Sequence, residues 1–142
     1  MKILECSSKG DKRFSAFYAR VKVFGFEDSI ERHYQSCKRN KEGNIAGKGK
    51  KVELMVIPTN TGKSFKLKPK FLTAYYKLLW CAYLDAHPDL VEIASAYDNY
   101  NDMFRGKAIN CQADVIRQYV KEGRKSILNE PDVIEFRKIV CI

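Results

Sequence analysis

Three polar residues, Glu31, Gln35 and Lys38, recur at the spacing of one helix face. On a helix, Glu31 and Lys38 would lie ~10.5 Å apart in rise but only ~20° apart around the axis. Both side chains could then lean towards one small molecule, and Gln35 could hydrogen-bond it. A carboxylate, an amide and an ammonium on one wall suit general acid–base or nucleophilic chemistry. A solvated face with charge pairs is the alternative explanation.

A second polar cluster lies in the segment 98–110, which is expected to be a loop between helices. Its members are a carboxylate, an aromatic ring, two cations, a flexible glycine and an amide: Asp102, Phe104, Arg105, Lys107, Gly106 and Asn110. This combination suits binding of a sugar or base near a phosphate. Asn110 stands where a helix begins, and free backbone N–H groups there can bind phosphate. An ordinary capping loop is the alternative.

The first cluster depends on a helix, and local signals predict one over 29–40. Asp28 or Ser29 can cap it, and Asp28 stands three residues before Glu31, which is the spacing of a capping box. An apolar stripe beside the polar one can face the core: Ile30, Tyr34 and Cys37.

The other elements follow from periodicity and turn residues. One or two short strands are expected over 13–24, where 19–24 alternates, and another over 52–58 before a turn at 59–62. Helices are predicted over 71–86, 89–97 and 111–124. Residues 40–51 form a glycine–lysine loop, and the type of 133–142 stays open between helix and strand. The pattern predicts several helices and a few short strands.

Composition narrows the class of protein. A chain of 142 residues with 45% hydrophobic residues can bury the core of one domain. No apolar run approaches the ~20 residues that span a bilayer, and the N-terminus does not resemble a signal peptide. Five cysteines without a CxxC pair, and two histidines without a second nearby ligand, indicate free thiols, no metal site and a cytoplasmic location.

The positive charge is concentrated in the first half of the chain. Residues 1–70 contain 17 Lys or Arg and 7 Asp or Glu, whereas residues 71–142 contain 9 and 10. This asymmetry favours a polyanionic partner, such as nucleic acid, a nucleotide or a sugar phosphate. A solubilising lysine-rich surface is the alternative.

The order of residues from 14 to 38 resembles a known signature. Residues 14–17 (FSAF), then Gly25, then 29–38 (SIERHYQSCK) resemble the NADAR family pattern F-S-x-F, glycine, S-x-E-x-x-x-Q-x-x-K. The last part matches without a gap. Looser likenesses follow: 87–90 (HPDL) to N/H-P-x-L, 102–106 to D-x-x-W-G, and 106–110 to the G-K-N turn. The resemblance covers roughly residues 13–122.

The resemblance implies a compact α+β domain, mostly helical, that cleaves N-glycosidic bonds without a cofactor. Family members act on ADP-ribosylated guanine in nucleic acid or on early riboflavin intermediates. By the same resemblance Glu31 would be the general acid or base, Lys38 a nucleophile or phosphate contact, and Asp102 a second acid or base or a ribose ligand. Substrate contacts would come from Phe14, Ser15, Phe17, Gln35, Phe104, Arg105, Gly106, Lys107 and Asn110.

Three departures from the pattern bear on function. Phe104 stands in place of the family's tryptophan, Ala108 and Ile109 lengthen the turn before Asn110, and Ala113 replaces a glycine. They leave open a non-catalytic module that binds ADP-ribose or another nucleotide for sequestration or sensing. A plain nucleic-acid-binding protein that uses the basic first half is a further alternative, and the small size and lysine content would suit a phage or mobile-element protein. It would leave the stripe at 31–38 unexplained.

Overall fold

The computed structural model of the protein describes residues 1–47, 49–103 and 110–142. Within these ranges the helices are α1 (Ile30–Ser36), α2 (Leu72–Asp85), α3 (Pro88–Ser95), α4 (Gln112–Arg117), α5 (Arg124–Leu128) and α6 (Pro131–Val140). The strands are β1 (Ile3–Glu5), β2 (Arg20–Val23), β3 (Phe26–Ser29), β4 (Lys38–Arg39), β5 (Leu54–Pro58), β6 (Ser64–Leu67) and β7 (Asn99–Asn101). This mixture confirms the predicted α+β class.

The strands form three small sheets rather than one. β1 and β7 pair in parallel, with Leu4 opposite Tyr100. β2 and β3 form an antiparallel hairpin, and β4, β5 and β6 form an antiparallel sheet in that order. β4 joins this sheet by pairing Lys38 with Met55. The chain that leaves α1 is therefore carried directly into a sheet.

The core is built around α2. Trp80, Leu79 and Leu84 are almost completely excluded from solvent, and residues from every sheet and most other helices pack around them. Burial of each such side chain contributes ~1.5–3 kcal/mol. On α2, Ala82 is exposed and Leu84 is buried. Among the described helices, none is long and apolar enough to cross a membrane.

The predicted helix over 29–40 is wrong in its second half. α1 ends at Ser36, and Lys38 lies in β4. Pairing between distant segments satisfies the backbone there, because the carbonyl of Cys37 accepts from Val56 N–H at 2.9 Å and that of Lys38 from Ala46 N–H at 2.9 Å. These bonds replace the ones that further turns of helix would have made.

The C-terminal third also differs from the expectation. The helix expected over 111–124 is α4 followed by a π-helical stretch (Gln118–Glu122), and Gly123 with φ of 95° separates it from α5. The segment whose type was open is helical, since α6 begins at Pro131 and ends at Val140. All five cysteines are free thiols, and three of them, Cys6, Cys37 and Cys81, are buried.

Candidate functional site

The first turn of α1 is held by the tight turn at residues 14–19. Ser29 is the N-cap, and its Oγ accepts from Arg32 N–H at 3.1 Å. The carbonyl of Ala16 accepts from Glu31 N–H at 3.0 Å, and that of Ala19 from Ile30 N–H at 2.9 Å. Three N–H groups that a helix start leaves without intrahelical partners are thus satisfied. The backbone around Glu31 is therefore held both by the Ser29 cap and by the carbonyls of the turn at 14–19.

Glu31 and Gln35 share one face of α1, as the sequence predicts. The Nε2 of Gln35 donates to Oε1 of Glu31 at 3.0 Å. Both side chains are half-buried. The Gln35 amide therefore orients the Glu31 carboxylate. The other carboxylate oxygen can still accept a hydrogen bond from another donor.

Lys38 reaches the same region from β4 rather than from the helix. Its Nζ lies 4.3 Å from the centroid of the Tyr34 ring, which is a cation–π contact. Burial lowers the pKa of Lys38, and this outweighs the opposing effects of Cys37 and Glu31. Lys38 therefore lies against α1 through the Tyr34 ring, although the helical spacing that predicted its position does not hold.

Tyr34 connects this region to the core and to the second cluster. Its ring packs against Tyr76, with centroids 4.9 Å apart. Its hydroxyl accepts from Nδ2 of Asn110 at 2.6 Å. Burial raises the pKa of the Tyr34 hydroxyl, partly offset by the bond from Asn110, so it is a neutral phenol at pH 7. Asn110 is the member of the second cluster that the structure brings to α1.

Asp102 is tied to the same turn through a residue that the sequence did not single out for this role. Gln112, at the start of α4, donates from Nε2 to Oδ2 of Asp102 at 3.1 Å. Its Oε1 accepts from Ala16 N–H at 2.7 Å. Asp102 and Gln112 are each only 7% exposed. The main-chain N–H of Ala16 therefore binds Gln112, and its carbonyl binds the N–H of Glu31.

The backbone before Asp102 is anchored by Glu5 at the end of β1. The carboxylate of Glu5 accepts from Nδ2 of Asn101 at 2.6 Å and from Met103 N–H at 3.2 Å. Burial would raise the pKa of Glu5, but hydrogen bonds from Ser7, Asn101 and Met103 together lower it. Asp102 thus lies between two anchored neighbours. A lone glutamate after a short strand gives no sequence signal for this role.

Besides Gln35 and Asn110, the predicted substrate contacts divide into three groups. Phe14 and Ser15 have no exposed surface, so they support the turn from within rather than reach a ligand. Phe17 is 58% exposed beside them. Four further predicted contacts, Phe104, Arg105, Gly106 and Lys107, lie outside the described residues.

The arrangement offers an oriented carboxylate and a buried carboxylate joined through Ala16 and Gln112, and beside them an ammonium of lowered pKa on the Tyr34 ring. Within the described ranges, no three His, Cys, Asp or Glu side chains are grouped so as to hold a metal ion. Three cavities lined by described residues lie elsewhere, and Glu31, Gln35 and Lys38 line none of these three. Comparisons with models of known families, with curated proteins and with solved structures find no match to this chain.

Proposed function

We propose that the protein is an N-glycosidase-like hydrolase that resembles the NADAR family and cleaves an ADP-ribosyl or ribose-phosphate N-glycoside, such as ADP-ribosylated guanine in nucleic acid. The observation that carries the proposal is the network around Glu31. Its carboxylate is oriented by Gln35, and its backbone N–H donates to the carbonyl of Ala16. The N–H of Ala16 is bound by Gln112, which also donates to Asp102. Lys38, whose pKa burial lowers, lies on the Tyr34 ring of the same helix.

Cleavage of an N-glycoside proceeds through an oxocarbenium-like transition state. The C1–N bond breaks towards the base, water adds to C1, and one proton passes from water to the departing nitrogen. An ionised Glu31 would stabilise the positive charge at C1 and accept the proton of the attacking water. Gln35 would hold the carboxylate in place throughout, which lowers the cost of reorganisation.

Lys38 has two chemical options at this position. As a cation it would bind a phosphate of the ADP-ribosyl group, and the face of Tyr34 would hold it in place. As a neutral amine it could attack the opened sugar and form a Schiff base with loss of water. The lowered pKa of Lys38 increases the neutral fraction at a given pH. Trapping with borohydride would distinguish the two, because only the Schiff base is reduced to a stable adduct.

The lysine-rich sheet next to the site supports a polyanionic substrate. Lys38 lies on β4, and β6 of the same sheet carries the exposed Lys66, with Lys63 and Lys68 exposed at its two ends. Phosphate contacts by such residues strengthen binding in a salt-dependent manner. We therefore expect an ADP-ribosylated oligonucleotide to be a better substrate than a free ADP-ribosyl nucleoside, and the difference to shrink as salt increases.

The test is release of ADP-ribose from a guanine-ADP-ribosylated DNA oligonucleotide, measured by chromatography. The Glu31→Gln and Lys38→Met variants should lose activity by about 100-fold or more. Glu27→Gln and Lys125→Met are matched controls, because both residues are exposed and lie outside the network and outside the lysine-rich sheet. Equal rates for Glu31→Gln and wild type would refute the assignment. Tight binding of ADP-ribose without turnover by wild type would instead favour a sequestering module.

A further inference from the structure

A cavity of about 330 Å³ lies between the β2–β3 turn, α2, α5 and α6. It is separate from the candidate site, since Glu31, Gln35, Lys38, Asp102 and Gln112 are all absent from its lining. Its apolar wall includes Tyr75, Leu78, Leu79, Leu128 and Phe136. The volume is at the lower end of the ~300–1,000 Å³ typical of small-molecule sites.

The turn at the mouth of this cavity places an aromatic ring in an unfavourable backbone conformation. Phe24 has φ of 49° and Gly25 has φ of 90°, so both central residues of the β2–β3 turn are in the left-handed region. Asn or Asp is the usual first residue of such turns, and a bulky residue there is strained. The Phe24 ring lines the cavity and packs on Phe65, with centroids 5.4 Å apart. The residue in the strained conformation is therefore the one whose ring forms part of the cavity wall.

The polar lining of the cavity is mainly cationic. Lys22, Arg124 and Arg137 line it, against one carboxylate, Asp85. Arg124 already binds this carboxylate, with Nε 2.9 Å and 3.0 Å from its two oxygens. Asp85 also accepts from the hydroxyl of Tyr119. Its negative charge is thus fully engaged within the protein.

Of the two other cations, Lys22 has no such partner. Glu27 is opposite Lys22 in the hairpin, but its carboxylate pairs with Arg20 at 3.5 Å. Arg137 is engaged at one position only, where its Nε donates to a main-chain oxygen of Ile142 at 3.2 Å. Among the described residues, no Asp or Glu side chain lies within ion-pair distance of Lys22 or Arg137. The cavity therefore combines an apolar floor with cationic side chains, of which Lys22 has no ion-pair partner among the described residues.

We propose that this cavity binds a small amphipathic organic anion, whose acidic group meets Lys22 and Arg137 and whose apolar body lies on Leu78 and Phe136. Cys81 also lines the cavity, and burial raises the pKa of its thiol to about 12, so it adds no negative charge at neutral pH. The site shares no residue with the network around Glu31. The proposal is therefore independent of the glycosidase function.

The test uses octanoate as the anionic probe and octanamide as its neutral isostere, with binding measured by calorimetry. Octanoate should bind at least about fivefold more tightly than octanamide, and the difference should decrease with salt. Replacing Ala82, which is exposed at the cavity wall, by Phe should fill the site and weaken octanoate binding by about tenfold or more. Lys22→Ala should weaken it by about threefold or more.

Thr73→Phe is the matched control, because Thr73 is also exposed on α2 but does not line this cavity. It should bind octanoate as wild type does. Amide chemical-shift mapping provides a second measurement on the unmodified protein, with changes expected around Leu78, Phe136 and the β2–β3 turn. Equal affinities for octanoate and octanamide, unchanged binding in Ala82→Phe, or shifts centred on Glu31 instead would each overturn the proposal.

Discussion

The side chain of Gln112 donates to Asp102 because its other end is already engaged. Its Oε1 accepts from Ala16 N–H at 2.7 Å, which leaves Nε2 to face Oδ2 of Asp102 at 3.1 Å. The backbone donor and the carboxylate therefore favour the same orientation of the amide. Gln112 thus joins the turn at 14–19, the buried carboxylate and α4 into one unit.

Replacing Gln112 by Glu should destabilise the protein in a pH-dependent manner. The introduced carboxylate can still accept from Ala16 N–H, but it would face Asp102 with a like charge. Its folded-state pKa would be raised above the unfolded value of ~4.3, so the deficit relative to wild type should grow as pH rises from about 4 to 7. We expect a loss of roughly 1–3 kcal/mol at pH 7, measured by urea unfolding.

A control variant distinguishes charge from packing. Gln112→Met removes both hydrogen bonds without adding a charge, so its deficit should vary little with pH between 4 and 7. If Gln112→Glu and Gln112→Met showed the same flat deficit, Asp102 would not be the residue that senses position 112.

The position of Lys38 illustrates what sequence reasoning can and cannot provide. The spacing of Glu31 and Gln35 places both on α1, where they are hydrogen-bonded, but the same spacing wrongly placed Lys38 on the helix. Only partners far along the chain, such as Met55, which pairs with Lys38, convert that stretch into β4. Pairing with a distant strand leaves no periodic signal in the local sequence. The helical spacing of residues in the sequence therefore continues past Ser36, where α1 ends.

Elements with their own local pattern were predicted, whereas elements that depend on distant partners were not. β2, β5 and α2 carry their own alternation or helical stripe, and they occur at nearly the predicted positions. β1 and β7 are three residues each, and they become strands only by pairing with one another across the whole fold. The role of Gln112 was missed for the same reason, because it depends on Ala16, which is distant in sequence.

Removing the Tyr34 hydroxyl should loosen the link between α1 and Asn110. Tyr34→Phe keeps the ring that packs on Tyr76 and contacts Lys38, but it loses the 2.6 Å bond from Asn110 Nδ2. The expected loss of unfolding free energy is about 1 kcal/mol. Faster amide hydrogen exchange at residues 110–113 should accompany it. Tyr18→Phe, at an exposed tyrosine, should change neither quantity. Unaltered exchange in Tyr34→Phe would show that this bond does not restrain Asn110.

The identity of the α1 cap can be tested by two single substitutions. Ser29 Oγ accepts from Arg32 N–H at 3.1 Å, whereas Asp28 Oδ1 accepts from Ser29 N–H at 2.8 Å outside the helix. Ser29→Ala should therefore cost about 1 kcal/mol of stability, within a range of ~0.5–2. Ser36→Ala, at the exposed last residue of α1, should cost much less. A larger effect for Asp28→Ala than for Ser29→Ala would restore Asp28 as the cap.

The lowered pKa of Lys38 should be visible in its reactivity and in protein stability. Burial holds this pKa below its ordinary value of 10.5. Its reductive methylation by formaldehyde and cyanoborohydride, followed by mass spectrometry, should reach half its maximal rate at a lower pH than that of the exposed Lys66. The folded state also binds fewer protons than the unfolded state here, so stability should rise as pH approaches 10.5 from below. Lys38→Met should remove this rise, and Lys66→Met should retain it. Identical pH profiles for the two lysines would contradict the assignment and would argue against Lys38 as an amine nucleophile.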